Sequence, residues 1–363
     1  MDTLVREAFL TLVRYGIGHP ADPLSFPVPW EEIHSLAVQQ RLAAIIMDGI
    51  DLMAGMGDSW GTAEMEDLLK KQWISEVIQL YEGRYERYRK AIGELAGFYN
   101  ANGIKMMVLK GLACSLTWPW PSHRPAGDID IWLFGAYREA DALVAAQKGI
   151  KVDSTHHHHT VFCWQGFTVE NHYDFINVHH HRSSASLEKT LKKLGQDDSH
   201  FTEVGGERVY VPSPDLHSLF LLRHSMSNFA STDSSLRQLL DWAFYVQAHG
   251  SEIDWPWLTG VLREYGMMPL FHIFNAICVE DLGFDAFLFP KIECDPELKE
   301  RVLSEILSPE FKEKTPTGKL ARVLFKFRRW RANAWKHRLC YKESMCSAFW
   351  SGLWNHLLKP SSI

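Results

Sequence analysis

Leu109-Lys110-Gly111, followed by Arg124-Pro125-Ala126-Gly127-Asp128-Ile129-Asp130-Ile131, is the stretch on which the reading of this chain turns. Ile104 to Leu109 is a short apolar run between Gly103 and Gly111, too short for a helix and suited to a buried strand. Asp128 to Leu133 alternates and then turns apolar, a second strand. Two aspartates one residue apart on a strand point to the same face. Their carboxylates can share a divalent cation, and Mg²⁺ binds through one or two carboxylates plus substrate phosphates. Gly111 has no side chain to bar a phosphate tail, and Lys110 can neutralise one. The blander account is a half-buried strand with solvated acids. Against it, two carboxylates on one face repel unless a cation or base lies between them.

Outward from this stretch, Tyr137 to Lys148 reads as a helix closed by Gly149, and His158–Trp164 and Phe167–Phe175 read as a hairpin around Gln165-Gly166. A two-residue turn pairs Trp164 with Phe167, Val161 with Glu170 and His159 with His172, so Glu170, His172, His159 and His157 share one face. Residues 104–211 are therefore expected to form an α+β unit with a mixed sheet. Before it, apolar residues at helical spacing from Trp30 to Ile50 and from Thr62 to Asn102-Gly103 predict an all-helical region, 1–103. After it, helices are expected through 212–363, with starts at Asp215, near 234 and at Asp254-Trp255-Pro256.

Composition narrows the class. The chain of 363 residues has 46% hydrophobic and 23% charged residues, which excludes a disordered, collagenous or coiled-coil rod. Its net charge of -6 argues against a surface that coats nucleic acid generally. The charge is uneven: residues 311–342 carry eleven Lys/Arg and one acid, Glu313. That segment interleaves Phe325, Phe327, Trp330 and Trp335 and reads as an amphipathic helix with a solvated face, with RNA or an anionic surface as the sharper alternative. Six scattered cysteines without Cys-x-x-Cys suggest free thiols in a reducing compartment. With no leader pattern and no membrane-length apolar run, the expectation is a cytoplasmic protein.

The layout resembles the polymerase-β-like nucleotidyltransferase superfamily, and more closely a bacterial family of uncharacterised nucleotidyltransferases that shares Leu-Lys-Gly, Arg-x-x-Gly-Asp-Ile-Asp and a Val-Glu-x-His strand. Here these are Leu109-Lys110-Gly111, Arg124 to Asp130, and Val169-Glu170-Asn171-His172. The likeness extends to Trp30-Glu31-Glu32 before the core and to Pro214, His224 and Leu236 to Asp241 after it. It implies a magnesium-dependent (or Mn²⁺-dependent) transfer of a nucleotidyl group from an NTP to a hydroxyl of an acceptor. Asp128, Asp130 and Glu170 would be the catalytic and metal-binding carboxylates, and Lys110, Gly111, Ser115, Arg124 and His172 the nucleotide-binding residues. The alternative is a non-catalytic nucleotide- or polyanion-binding module that keeps the fold.

Other residues carry blander readings. The tract His156-His157-His158-His159 invites a metal site, but consecutive histidines on a strand alternate faces, so it is expected instead to border the cleft as an edge strand. His179-His180-His181-Arg182 reads as a loop. Cys114 has no nameable histidine partner and is expected to be a buried thiol. Arg237 and Asp241 are spaced for an ion pair on one helix turn.

Overall fold

The computed structural model describes residues 1–19, 22, 24, 26–55, 65–178, 181, 183–231, 234–311 and 316–344. Its N-terminal region is helical, with α1 (Thr3–Gly16), α2 (Trp30–Gln39), α3 (Ala43–Gly55), α4 (Asp67–Glu76) and α5 (Gly83–Asn100), the last two joined through a π-turn at Val77–Glu82. The single helix expected from Trp30 to Ile50 is broken in two. Arg41 adopts φ +58, and the buried Gln40 side chain donates to the Ile306 carbonyl at 2.9 Å and accepts from the Leu236 amide at 2.8 Å. That side-chain clamp holds the chain where no glycine or proline marks a stop. The start expected near Thr62 lies outside the described residues, whereas Gly103, at φ +73, ends the helical run as its type predicts.

A six-stranded sheet follows, built from β1 (Met107–Val108), β2 (Ile129–Trp132), β3 (His159–Trp164), β4 (Phe167–His172), β5 (Phe201–Val204) and β6 (Glu207–Tyr210). Its order is β3-β4-β2-β1-β6-β5. The sheet is mixed: β2–β4 and β1–β6 are parallel, and the other neighbours are antiparallel. Short helices α6 (Gly111–Ser115), α7 (Tyr137–Lys148) and α8 (Ser184–Leu194) fill the connections. The hairpin register is the expected one, His159 opposite His172 and Val161 opposite Glu170. Gln165 and Gly166 both take positive φ, as a two-residue hairpin turn requires. The β5–β6 hairpin is not among the elements assigned above, although its Gly205-Gly206 turn carries the corresponding signal.

The C-terminal helices are α9 (Pro214–Ser231), α10 (Leu236–His249), α11 (Trp255–Glu264), α12 (Met268–Ala276), α13 (Pro296–Leu307), α14 (Lys319–Ala332) and α15 (Ala334–Cys340). Asp254 caps α11 by accepting from the Trp257 amide at 3.0 Å. The alternation of the strands separates two cores. Val108, Ile129, Ile131 and Val169 face Leu95 of α5 and Val144 of α7, whereas Met107, Leu109 and Trp132 join a larger core with α1–α3 and α9–α13. Each such fully buried aliphatic side chain contributes ~1.5–3 kcal/mol. Because Ile129 and Ile131 are committed to the first core, Asp130 faces the second, towards α9.

The basic segment forms two helices rather than one, divided at Asn333, and Lys312, Glu313 and Lys314 lie outside the described residues. Part of its charge is internal. Lys336 is buried in an ion pair with Glu305, and Trp335 lies under Arg301 at 3.9 Å. On α14, Arg322, Leu324, Phe327, Arg328 and Arg331 are exposed. No helix among the described residues is long and apolar enough to cross a membrane.

Candidate functional site

The parallel pairing of β2 and β4 sets Asp130 directly beside Glu170, and Trp132 beside His172, on neighbouring strands. Asp130 is 6% exposed. Its Oδ1 lies 2.8 Å from Lys110 Nζ and 3.1 Å from His172 Nε2. His172 Nε2 also approaches Glu170 Oε2 at 3.6 Å, and its Nδ1 lies 3.2 Å from the Asp174 carbonyl oxygen. One ligand atom each from Asp130, Glu170 and His172 falls within 4.8 Å of the others. Asp128, one residue ahead of β2, is not in that group; its side chain is exposed and its carbonyl accepts from Tyr88 Oη at 3.2 Å.

The electrostatics follow from this crowding. Burial alone would raise the Asp130 carboxyl, but Lys110 and His172 hold it well below the usual carboxylate range. Glu170 is lowered by its bond to His172, against burial. His172 is pushed up to about 9, because its bonds to Asp130 and Glu170 outweigh its burial. Asp128 is raised, first by burial and then by the negative charge of Glu170 and Asp130. Three carboxylates thus act on one another around the paired strands β2 and β4, with Lys110 and His172 as the neighbouring cations. Oxygen donors from adjacent strands, with a cationic ammonium already among them, fit a divalent cation of the Mg²⁺ type.

The remaining expected nucleotide-binding residues are placed differently. Arg124 is 5% exposed and grips Asp241 with two donors, Nε to Oδ1 at 2.7 Å and Nη2 to Oδ2 at 3.1 Å. Asp241 also accepts from Trp118 Nε1 at 2.9 Å and from Arg237 Nη1 at 2.8 Å, the latter being the expected ion pair within α10. Arg124 is therefore engaged with α10, not presented as an open phosphate fork. Ser115 is buried; its hydroxyl donates to the Leu112 carbonyl at 2.7 Å and lies 3.1 Å from Tyr85 Oη. Gly111 is required by packing, since a Cβ there would sit 2.0 Å from Tyr88 Oη at φ +30. Gly127 has no such neighbour within 4 Å.

The histidines depart from strict alternation. β3 begins at His159, and just before it the His158 carbonyl accepts from the Tyr173 and Asp174 amides, each at 3.1 Å. Outside the ladder, His158 is free of the strand's period, and its ring reaches the same side as His159. Ligand atoms of His158, His159 and His172 all lie within 4.8 Å of one another. The set is completed by His172 from the neighbouring strand, which a count within the tract overlooks. Burial, reinforced by the neighbouring rings, pushes His158 down to about 3, and burial pushes His159 down to about 4. His181 is buried and stacks on Tyr341 with ring centroids 3.8 Å apart, while His179, His180 and Arg182 lie outside the described residues.

Cys114 does have a histidine neighbour, His217 Nε2 at 3.7 Å, on α9 and 103 residues away in the chain. The pair is nonetheless unsuited to nucleophilic chemistry. Burial pushes the thiol up to about 12 and the imidazole down to about 3, leaving both neutral.

A family model described as "Uncharacterised nucleotidyltransferase" matches residues 27–283. A search of curated proteins gives no match. Among solved structures, the chain is similar to an antigenic nucleotidyltransferase-like protein from Paracoccidioides brasiliensis at 14% identity, covering 45% of this chain and 77% of that one with a TM-score of 0.33. That likeness is too remote to bear on residue roles. The family match runs from just before α2 to the turn beyond α12 and takes in every strand of the sheet, and on that basis the chain belongs to the family of uncharacterised nucleotidyltransferases.

Proposed function

We propose that this protein transfers a nucleoside monophosphate from an NTP to a hydroxyl of an acceptor, using Mg²⁺ or Mn²⁺, at the cluster of Asp128, Asp130 and Glu170. The observation that carries this reading is the parallel register that sets Asp130 beside Glu170, with Lys110 Nζ 2.8 Å from Asp130. Asp128 lies two residues from Asp130, one residue ahead of β2, and feels the charge of both other carboxylates.

A divalent cation held by these carboxylates supplies charge neutralisation to the phosphate oxygens. The chain's own residues do the rest. Glu170, the more accessible of the paired carboxylates, accepts the proton of the acceptor hydroxyl as that oxygen bonds to the α-phosphorus. The bond from the α-phosphorus to the bridging oxygen breaks, and the electron pair leaves with pyrophosphate. Lys110, partly exposed, moves its ammonium from Asp130 to the phosphate tail. His172, oriented by the Asp174 carbonyl, keeps Asp130 and Glu170 in place. Arg124 is a positioning residue in this scheme, tying the segment before Asp128 to α10 through Asp241.

The test is release of pyrophosphate from each of the four NTPs, with Mg²⁺ or Mn²⁺, in the presence of candidate hydroxyl acceptors, including the protein's own side chains. Cation-dependent release that disappears in Glu170→Gln supports transfer. Tight cation-dependent NTP binding with no release under any of these conditions would identify a binding module instead.

A further inference from the structure

We propose that His158, His159 and His172, with Glu170, form a binding site for a first-row transition cation such as Zn²⁺, beside the carboxylate pair. Three imidazoles offer nitrogen atoms within 4.8 Å of one another. Glu170 Oε2 adds a fourth donor, 3.8 Å from His159 Nδ1 and 3.6 Å from His172 Nε2. The spacing is wider than in a closed tetrahedral site, where Zn–N bonds of about 2.0–2.1 Å bring nitrogens to about 3.4 Å. Side-chain rotations of about an ångström close that gap.

A second observation points to a ligand. His159 is 7% exposed, yet its Nδ1 has no hydrogen-bond partner among the described residues, and the same holds for the buried Nδ1 of His158. Polar atoms are rarely left in this state unless something else satisfies them. His172 shows a further mark of a ligating imidazole, since its Nδ1 meets a backbone carbonyl, the contact that fixes ring orientation, while its Nε2, now 3.1 Å from Asp130 Oδ1, would exchange that contact for the metal. The two hydrogen bonds that the Tyr173 and Asp174 amides donate to the His158 carbonyl pin the chain at the point where both His158 and His159 can face His172.

The donor set decides the class of cation. Three imidazole nitrogens and one carboxylate suit Zn²⁺, Co²⁺ or Mn²⁺, with affinity rising from Mn²⁺ to Co²⁺ and Zn²⁺, whereas Mg²⁺ demands oxygen. The site shares Glu170 and His172 with the proposed transfer site but uses neither Asp128 nor Lys110 and requires no nucleotide, so cation binding by the imidazoles is read apart from the transfer reaction, which is read by pyrophosphate release.

The experiment uses the full chain, stripped of metal by a chelator, titrated with Co²⁺ alone. The expected result is one equivalent bound, with the visible absorption of a low-coordinate nitrogen–oxygen site, displaced by Zn²⁺ but not by a large excess of Mg²⁺. His159→Ala should weaken Co²⁺ binding at least about tenfold, and His200→Ala, just before β5 and outside the set, should leave it unchanged. His159→Cys guards against loss of binding through misfolding: it should still bind Co²⁺ and add a thiolate-to-cobalt charge-transfer band. Absence of binding by the unaltered chain, displacement by Mg²⁺, equal affinity in His159→Ala or a missing band in His159→Cys would each overturn the proposal.

Discussion

Two buried carboxylates, Asp241 and Asp130, sit at opposite poles of design. Asp241 is 4% exposed, and its two oxygens take donors from Arg124, Trp118 and Arg237, all fixed in place by packing. Nothing further can be added to it. Asp130 is also buried, but its neighbours include two more carboxylates, and its cationic partner Lys110 is a flexible chain that is partly exposed. The first arrangement is a knot that ties the Trp118–Arg124 connection to α10. The second carries negative charge that a divalent cation would complete. Burial and pairing alone do not separate scaffold from site; what separates them is whether a single carboxylate has both oxygens taken by several donors or several carboxylates crowd around few cations.

Substitutions should behave differently in the two places. The largest effect is expected at Asp128→Asn, which should lower NTP turnover by about 10²–10³ or more, as removal of one charge-stabilising group does elsewhere. Its unfolding free energy should stay unchanged or rise slightly, because a repelling charge is removed. Denaturant titration beside the turnover assay checks both halves, and a strongly destabilised variant would move Asp128 into the scaffold class.

At the knot the expectation is reversed. Arg124→Ala leaves Asp241 buried with its principal partner missing and should cost about 3–5 kcal/mol of stability. Unfolding midpoints would show it. Arg124→Ala with wild-type stability and weakened NTP binding would contradict the separation of the two regions.

A smaller effect sharpens the border between them. Gly111→Ala forces a methyl group onto Tyr88 Oη and should cost about 1–3 kcal/mol, part of which should return in the double variant with Tyr88→Phe. Gly127→Ala, with nothing near the added carbon, should be almost neutral in stability. The smallest effect is at Cys114. Iodoacetamide should modify the exposed Cys163 and leave Cys114 untouched in the native protein, since burial raises that thiol to about 12. Rapid native labelling of Cys114 would reopen the Cys114–His217 pair as chemistry.

How far the sequence reached depends on the range of the interaction. The Ile129-Asp130-Ile131 alternation and the Gln165-Gly166 turn are local patterns, and they delivered the opposed faces of Asp130 and its isoleucine neighbours and the register that puts Glu170 opposite Val161, whereas Asp128 lies one residue ahead of the strand. The partner of Arg124 is 117 residues away, and the partner of Cys114 is 103 residues away, so neither could be read from spacing. Arg41 broke a helix through contacts that Gln40 makes to residues 236 and 306, again at long range. His158 escaped for a different reason. Period-two reasoning holds only inside the ladder, and β3 begins one residue too late, at His159, for it to apply. The β5–β6 hairpin, by contrast, had a legible Gly205-Gly206 turn.

If the Asp128/Asp130/Glu170 cluster holds a nucleotide's phosphates through a divalent cation, NTP and cation must stabilise the fold together. Thermal unfolding of the unaltered chain and of Asp128→Asn, each with the four NTPs and with and without Mg²⁺ or Mn²⁺, tests it most directly. The expected result is a rise in Tm for the unaltered chain that needs both NTP and cation, and its loss in Asp128→Asn. Equal stabilisation of the two proteins, or none by any NTP with either cation, would contradict it.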